Sequence, residues 1–384
     1  MYNLKNALIV ASVASMIDQF TMNNIFALQE LGYNVEVAAN FQEGNTSNSV
    51  RIERFKCYLN EINIKYYQVS FSRNILDFSS NKRAYNELKK IADKGDYDLI
   101  HSHSPIGGVI GRLVAKNVGS ISIYTAHGFH FYKGGSIKNW LLFYPIEKFL
   151  SRFTDTLITI NNEDYSIASS KFHAKKIKKI NGIGVDFKKI VEIEIDKPKK
   201  IRELGIKEDS FLLLSVGELN ENKNHKVILN ALAKMENKNI DYVICGKGPL
   251  EKKLKKMCID LNIQNRVHFL GFREDIYELY KICDLFVFPS LREGLSVALI
   301  EAMACGLPVV CSNIRGNRDL IKYNHGGILV NPKNTEEFEQ AINRIYLENH
   351  LAKKFSRYNK ISVEQYSSEV IKDHYKLVYQ TYTN

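Results

Sequence analysis

The chain has 384 residues, room for two domains of ordinary size, with 45% apolar and 25% charged residues and a net charge of +11. No apolar run reaches the roughly 18 residues of a membrane span. The six cysteines form no CxxC pair and no compact framework. A membrane-spanning helix and a disulfide-stapled secreted module are thereby excluded, and the basic balance selects anionic partners: nucleotide diphosphates, anionic lipid or nucleic acid.

In chain order, "NALIVASVASM" follows Lys5 and imitates a short signal peptide. A helical pattern, "MNNIFALQELG", and a strand, "NVEVAA", follow at once, so the segment reads as the first strand of a βαβ unit. Cytoplasmic residence is the expectation, with all six cysteines reduced and buried as small apolar residues. "YDLIHSHS", "ISIYTAHG" and "DTLITIN" continue the series as buried strands spaced by helices. The excess of positive charge concentrates in residues 129–190, with 11 Lys and Arg against 5 Asp and Glu, and "KFHAKKIKK" within it reads as a solvated loop or helix face. "DFKKIVEIEIDKPKK" breaks the alternation and reads as a linker. The alternation then restarts with "FLLLSVGEL", "DYVICGKG", "RVHFLGF", "LFVFPS", "LPVVCS" and "GILVNP".

This order predicts an α/β protein of two Rossmann-like parallel-sheet domains, residues 1–190 and 198–361, facing across a cleft. A final helix, 362–384, is expected to pack back on the first domain. No repeat and no low-complexity tract is present.

The chemistry concentrates in "FPSLREGLSVALIEAMACGLPVV". A strand ends at the serine and a loop follows. Ser296 suits an N-cap, Gly306 a C-cap, and Pro308 forbids continuation. The helix therefore starts at the mouth of the sheet, where its free N–H groups and dipole suit a phosphate. Glu293 stands just before that site and Glu301 one to two turns in. A phosphate site flanked by two carboxylates that accept from hydroxyls describes a sugar nucleotide.

E-x7-E followed by "CGLPVV" resembles the signature of retaining glycosyltransferases of family 4, which have the GT-B fold. "SVGELNENKNHKVILNAL", "GKGPLEKKL", "VHFLGF" and "GGILVNP" resemble the C-terminal domain of that family, in order. "DLIHSHSPIGGVIGRL", "YTAHGFHF" and "LITINNEDY" resemble its N-terminal domain in the exopolysaccharide and capsule branch. The likeness spans nearly the whole chain.

The resemblance implies a retaining transfer of a hexosyl or N-acetylhexosaminyl group from a nucleotide-sugar, a UDP-sugar above all, to a polyprenyl-diphosphate-linked saccharide. Glu293 would bind hydroxyls of the donor sugar, and Glu301 the ribose. Backbone amides at Gly294, Leu295 and Ser296 would hold the diphosphate, and Lys223 would neutralise it as it leaves. His127 would contact the donor sugar. Gly246 and Gly248, in "GKGP", suit the wall of a nucleotide-base pocket. Many members carry arginine where this chain has Glu218, so Arg273 or Arg292 would supply the missing charge. His103, with His101, is assigned to the cleft wall or the acceptor side. Ser15 belongs to a first loop, 12–20, that lacks the usual glycines. No metal and no cofactor is expected: "DYD" (96–98) precedes a strand instead of ending one, and the paired histidines have no third ligand.

"SIKNWLLFYPIEKFLSRF" mixes Trp and aromatic residues with Lys138, Lys148 and Arg152, which suits peripheral contact with an anionic membrane, although a core helix shows the same periodicity. A GT-B sugar-nucleotide epimerase working without acceptor is the alternative. Nucleic-acid binding has only the basic pI, near 9.1, in its favour.

Overall fold

The structure is a computed structural model that describes residues 5–45, 47–182 and 184–383. The chain divides into two compact units. Unit 1 runs through Gly184 and takes back the closing stretch from Ser368; unit 2 is Val185–Ser367.

Unit 1 holds seven parallel strands: β1 (Asn6–Val13), β2 (Asn34–Asn40), β3 (Lys65–Gln68), β4 (Leu99–His103), β5 (Ile121–Ala126), β6 (Thr156–Thr159) and β7 (Lys176–Lys179), in the order β3-β2-β1-β4-β5-β6-β7. Unit 2 holds six: β8 (Phe211–Val216), β9 (Ile240–Cys245), β10 (Val267–Gly271), β11 (Leu285–Phe288), β12 (Val309–Ser312) and β13 (Gly327–Val330), in the order β10-β9-β8-β11-β12-β13. Central strands covered on both faces read as continuous apolar runs, which is why β1, β8, β9 and β11 stand out in the sequence. Each sheet separates two layers of core. In unit 2, Leu213, Tyr242 and Val287 pack on one face while Leu212, Val243 and Phe286 pack on the other.

Three sequence readings change. β7 lies where "KFHAKKIKK" reads as a loop or helix face. Its lysines are exposed and Ile177 is half-buried, a charged edge strand that resists pairing with a second molecule. The presumed linker instead holds two short helices, Phe187–Glu192 and Lys197–Glu203, whose Ile190 and Ile201 enter the unit 2 core. All six cysteines are free, but Cys57 is exposed and Cys305 half-buried, so only four pack as fully buried residues.

The closing helix, Ser368–Gln380, buries Ile371, Tyr375, Val378 and Tyr379, a single stripe at helical spacing. It packs against the helix Met22–Glu30, where Asn24 Nδ2 donates to Tyr379 Oη at 2.9 Å.

Candidate functional site

In open parallel sheets, ligands bind beyond the carboxyl ends of strands where the strand order reverses. In unit 2 that point lies between β8 and β11. The loops leaving these strands carry Lys223 and Glu293.

Asparagines lace the two loops together. Leu291 N donates to Asn222 O at 2.8 Å, Asn222 Nδ2 to Arg292 O at 2.9 Å, and Asn224 Nδ2 to Pro289 O at 3.1 Å. Asn220 Oδ1 accepts from Lys223 N at 3.0 Å and closes the turn. Lys223 Nζ thereby reaches Glu293 Oε1 at 2.7 Å and lies 4.7 Å from the ring centre of Phe288. Both charged side chains are mostly covered, 20% and 14% exposed. The sequence assigns these two residues separate contacts; the structure makes them an ion pair.

The helix Val297–Ala304 starts beside the pair. Ser296 caps it, its hydroxyl accepting from Leu299 N at 3.3 Å. Among the described residues, the amides of Gly294, Leu295 and Ser296 donate to no protein acceptor, which leaves them for an anion. Arg315 supports this loop from behind: it is buried, and Nε donates to Glu293 O at 3.2 Å. Gly316 must be glycine here, because its φ is +76° and a Cβ would stand 2.3 Å from Gly294 O. Gly246 has the same constraint at the exit of β9: its φ is +145° and a Cβ would meet Gly217 O at 1.9 Å. Gly248 sits in the same crossing of the β8 and β9 loops, which Leu219 N closes by donating to Lys247 O at 3.0 Å.

Glu301 lies in the second turn of the helix and faces Ile276–Ile282. Tyr277 and Tyr280 donate their hydroxyls to its two carboxylate oxygens at 3.2 and 3.1 Å. Burial pushes its pKa up to about 7, against the pull of the two phenols. Glu218 is exposed, and its carboxylate accepts from Asn220 Nδ2 at 2.9 Å, so it sits in solvent. Arg273 is engaged by Asp275, with Nε to Oδ1 at 2.7 Å. Arg273 and Lys200 together hold the Asp275 carboxyl down at about 2.

In unit 1 the order reverses between β1 and β4. Ser12 Oγ and Ser104 Oγ meet there at 2.7 Å, and Gly107 N donates to Ser12 Oγ at 2.9 Å. Ser15 and His103, read as acceptor-side residues, are interior in the structure: Ser15 is 1% exposed and His103 not at all. The Ser15 amide donates to Asn45 Oδ1, and His103 Nδ1 lies 3.1 Å from His127 Nε2. His127 lines a cavity of about 260 Å³, together with Met16, Tyr124, Phe131, Phe143 and Glu147.

Sequence reading misses what lies beneath that cavity. Arg112, fully buried, reaches Glu147 at 2.9 Å, and its guanidinium lies 3.9 Å from the ring centre of Tyr124. Tyr124 Oη donates to Glu147 Oε1 at 3.2 Å. A single arginine inside the apolar "PIGGVIGRLV" and a single acid inside "NWLLFYPIEKFL" are the signal that could have exposed the pair. Among the described residues, no three His, Cys, Asp or Glu side chains gather as metal ligands.

Residues 196–362 match the family described as Glycosyl transferases group 1, and residues 9–161 match Glycosyl transferase 4-like. EpsD of Bacillus subtilis strain 168, which carries a glycosyltransferase name, is 33% identical over 98% of this chain and 97% of its own. An Escherichia coli protein named UDP-Gal:alpha-D-GlcNAc-diphosphoundecaprenol alpha-1,3-galactosyltransferase is 32% identical over 75% of this chain and 76% of its own. The crystal structure of HepE from Anabaena in complex with UDP aligns with a TM-score of 0.79 over 98% of this chain and 100% of that one, at 20% identity.

Proposed function

The chain belongs to the group 1 glycosyl transferases and has the GT-B fold; from that premise we propose that it moves a sugar from a UDP-sugar to a lipid-diphosphate-linked saccharide, with retention, in cell-surface polysaccharide synthesis. The observation that carries this reading is the Lys223–Glu293 pair, seated beside unclaimed amides at the sheet's switch point. It presents one cation and one hydroxyl acceptor side by side, the two needs of a sugar diphosphate.

In this reading Lys223 and the amides of Gly294, Leu295 and Ser296 hold the diphosphate. Glu293, relieved of its lysine, accepts from hydroxyls of the donor sugar, and His127 contacts a substrate hydroxyl. Glu301 accepts from the ribose, and the close-packed backbone at Gly246 and Gly248 borders the base. The bond from the anomeric carbon to the diphosphate oxygen breaks, and a bond to the acceptor oxygen forms on the same face. The acceptor proton passes to the leaving phosphate oxygen. The protein's share is positioning and charge stabilisation, met by its own groups without a metal. The E. coli relative's name gives an alpha linkage, which from an α-configured UDP-sugar is retention.

The acceptor's lipid gives a use to the helix Ile137–Ser151. Ile137, Leu141 and Phe149 form an exposed stripe, 76%, 74% and 53% exposed, while Trp140, Phe143 and Tyr144 pack inward. Lys138, Lys148 and Arg152 accompany it. Among the described residues, no helix is long and apolar enough to cross a membrane. We read this one as lying at the surface of an anionic bilayer.

The test is a donor panel of UDP-, GDP- and ADP-sugars, with and without a short lipid-diphosphate-sugar, followed by nucleotide diphosphate release and by NMR of the product. Acceptor-dependent release from a UDP-sugar, unaffected by EDTA and giving an α-linked product, is expected. An inverted product overturns retention, and a changed sugar formed without acceptor overturns transfer.

A further inference from the structure

Unit 1 buries a chain of imidazoles whose proton positions can be worked out from their partners. His101 has both nitrogens engaged: Nδ1 lies 2.7 Å from Tyr379 Oη and Nε2 2.9 Å from Thr125 Oγ1. Tyr379 Oη already accepts from Asn24 Nδ2 at 2.9 Å, so its own proton points to His101 Nδ1. His101 therefore carries its proton on Nε2 and donates to Thr125. The ring of His103 lies against it, centroids 4.2 Å apart.

His103 Nδ1 and His127 Nε2 stand 3.1 Å apart and share one proton between them. Burial drives all three imidazoles toward the neutral form, His101 down to about 3 and His127 to about 4, with His103 also well below the ordinary value. Each ring then has one N–H. Were His127 the donor, His103 would carry its proton on Nε2. That atom is buried and meets no protein partner among the described residues. An orphaned buried N–H is the costlier fault; a bare ring nitrogen with nothing to accept is the cheaper one. The donor is accordingly His103, through Nδ1–H. His127, a residue of the 260 Å³ cavity's wall, accepts at Nε2 and must hold its own proton on Nδ1, its remaining nitrogen.

We infer that His103 is a positioning residue, whose Nδ1–H fixes His127 as the Nδ1–H tautomer so that His127 meets a substrate oxygen as a hydrogen-bond donor and not as a base. Only the final clause rests on the proposed function; the tautomer stands or falls without it.

The experiment is 15N NMR of histidine-labelled full-length protein, read through couplings that separate protonated from bare ring nitrogens. In the wild type, His127 is expected with Nδ1 protonated and Nε2 bare. In His103→Leu it should relax to a mixture of tautomers, and kcat/KM for transfer should fall roughly threefold to tenfold, the worth of one oriented hydrogen bond. His103→Asn places an amide N–H near the lost Nδ1–H and should recover most of both. A wild-type His127 protonated on Nε2 overturns the inference even if neither variant folds. So does a tautomer that His103→Leu leaves unmoved. If His127 shows Nδ1–H but His127→Phe transfers at the wild-type rate, the tautomer holds and the substrate contact falls.

Discussion

Glu301 offers the sharpest quantitative test, because its environment opposes the charge it is proposed to carry. Burial raises its pKa from the ordinary 4.5 to about 7. Between those two values the folded chain keeps a proton that the unfolded chain has released, so stability falls as pH rises through that window and levels off above about 7. At about 1.4 kcal/mol for each tenfold change in proton affinity, the loss by pH 8 is about 3 kcal/mol. Glu301→Gln keeps the shape and leaves a neutral oxygen for Tyr277 or Tyr280. It should match the wild type below about pH 4, and its advantage should grow by about 2–3 kcal/mol between pH 5 and pH 8. The only tryptophan, Trp140, lies in unit 1, so fluorescence reports the wrong half of the chain. Amide exchange by mass spectrometry on peptides from β8 and β11 reads unit 2 directly. A variant-minus-wild-type difference that stays flat from pH 5 to 8, or that favours the wild type as pH rises, refutes the argument. The same logic reaches the ligand. Ribose hydroxyls donating to the carboxylate would favour its charged form, so UDP binding at pH 6.5 should release protons, visible by calorimetry in buffers of different ionisation enthalpy.

The other expectations are briefer. Lys223→Ala removes the cation proposed to meet the leaving diphosphate and should lower kcat by about 10²–10³, with a loss under tenfold counting against that role. Glu147→Ala leaves Arg112 charged and buried and should destabilise unit 1 by about 3–5 kcal/mol in urea melts followed at Trp140. The double variant Arg112→Met/Glu147→Leu should regain most of that loss, and a single variant within 1 kcal/mol of the wild type would show the pair to be solvated. Leu141→Glu with Phe149→Glu should release the protein from anionic liposomes in flotation; wild type that never floats ends the membrane reading.

What the sequence discloses follows from what each residue must satisfy locally. β1, β8, β9 and β11 are buried on both faces, so nearly every position is apolar or small, Asp241 of β9 being admitted by its pairing with His268, and the run is unmistakable. β3 and β7 lie at the sheet edge with one neighbour each, so "KYYQ" and "KIKK" need no apolar run. The helices Phe187–Glu192 and Lys197–Glu203 contribute so few residues to the core that charge dominates their composition. In the site, Glu293 and Ser296 are legible because a cap, a loop glycine and a helix start fall within a few positions of one another. Arg315, Tyr277 and Tyr280 are not, since what they do depends on partners 21 to 24 residues away, and nothing in their own neighbourhoods shows which group they will meet. Lys223 is readable from a family motif, but its bond to Glu293 spans 70 residues and belongs to the fold.

The charged and imidazole candidates share a condition that local sequence does not show: unlike the loop amides, none of them lacks a protein partner. Lys223 is held by Glu293, Glu301 by two phenols, and His127 by His103. A charged or polar group left unpaired in a covered site carries a desolvation cost, and pairing candidates with one another holds their geometry while offsetting it. The consequence is selective. A ligand gains at this site only by offering better partners than those it displaces. A diphosphate can outbid Glu293 for Lys223, and the freed carboxylate then needs hydroxyl donors at once. A lone phosphate meets the first demand and leaves Glu293 unsatisfied; a lone sugar meets the second and must break an ion pair to do so. Only a molecule joining both, a few bonds apart, satisfies the pair together. On the proposed function, the 2.7 Å contact would act as a filter for sugar nucleotides, set before any chemistry begins.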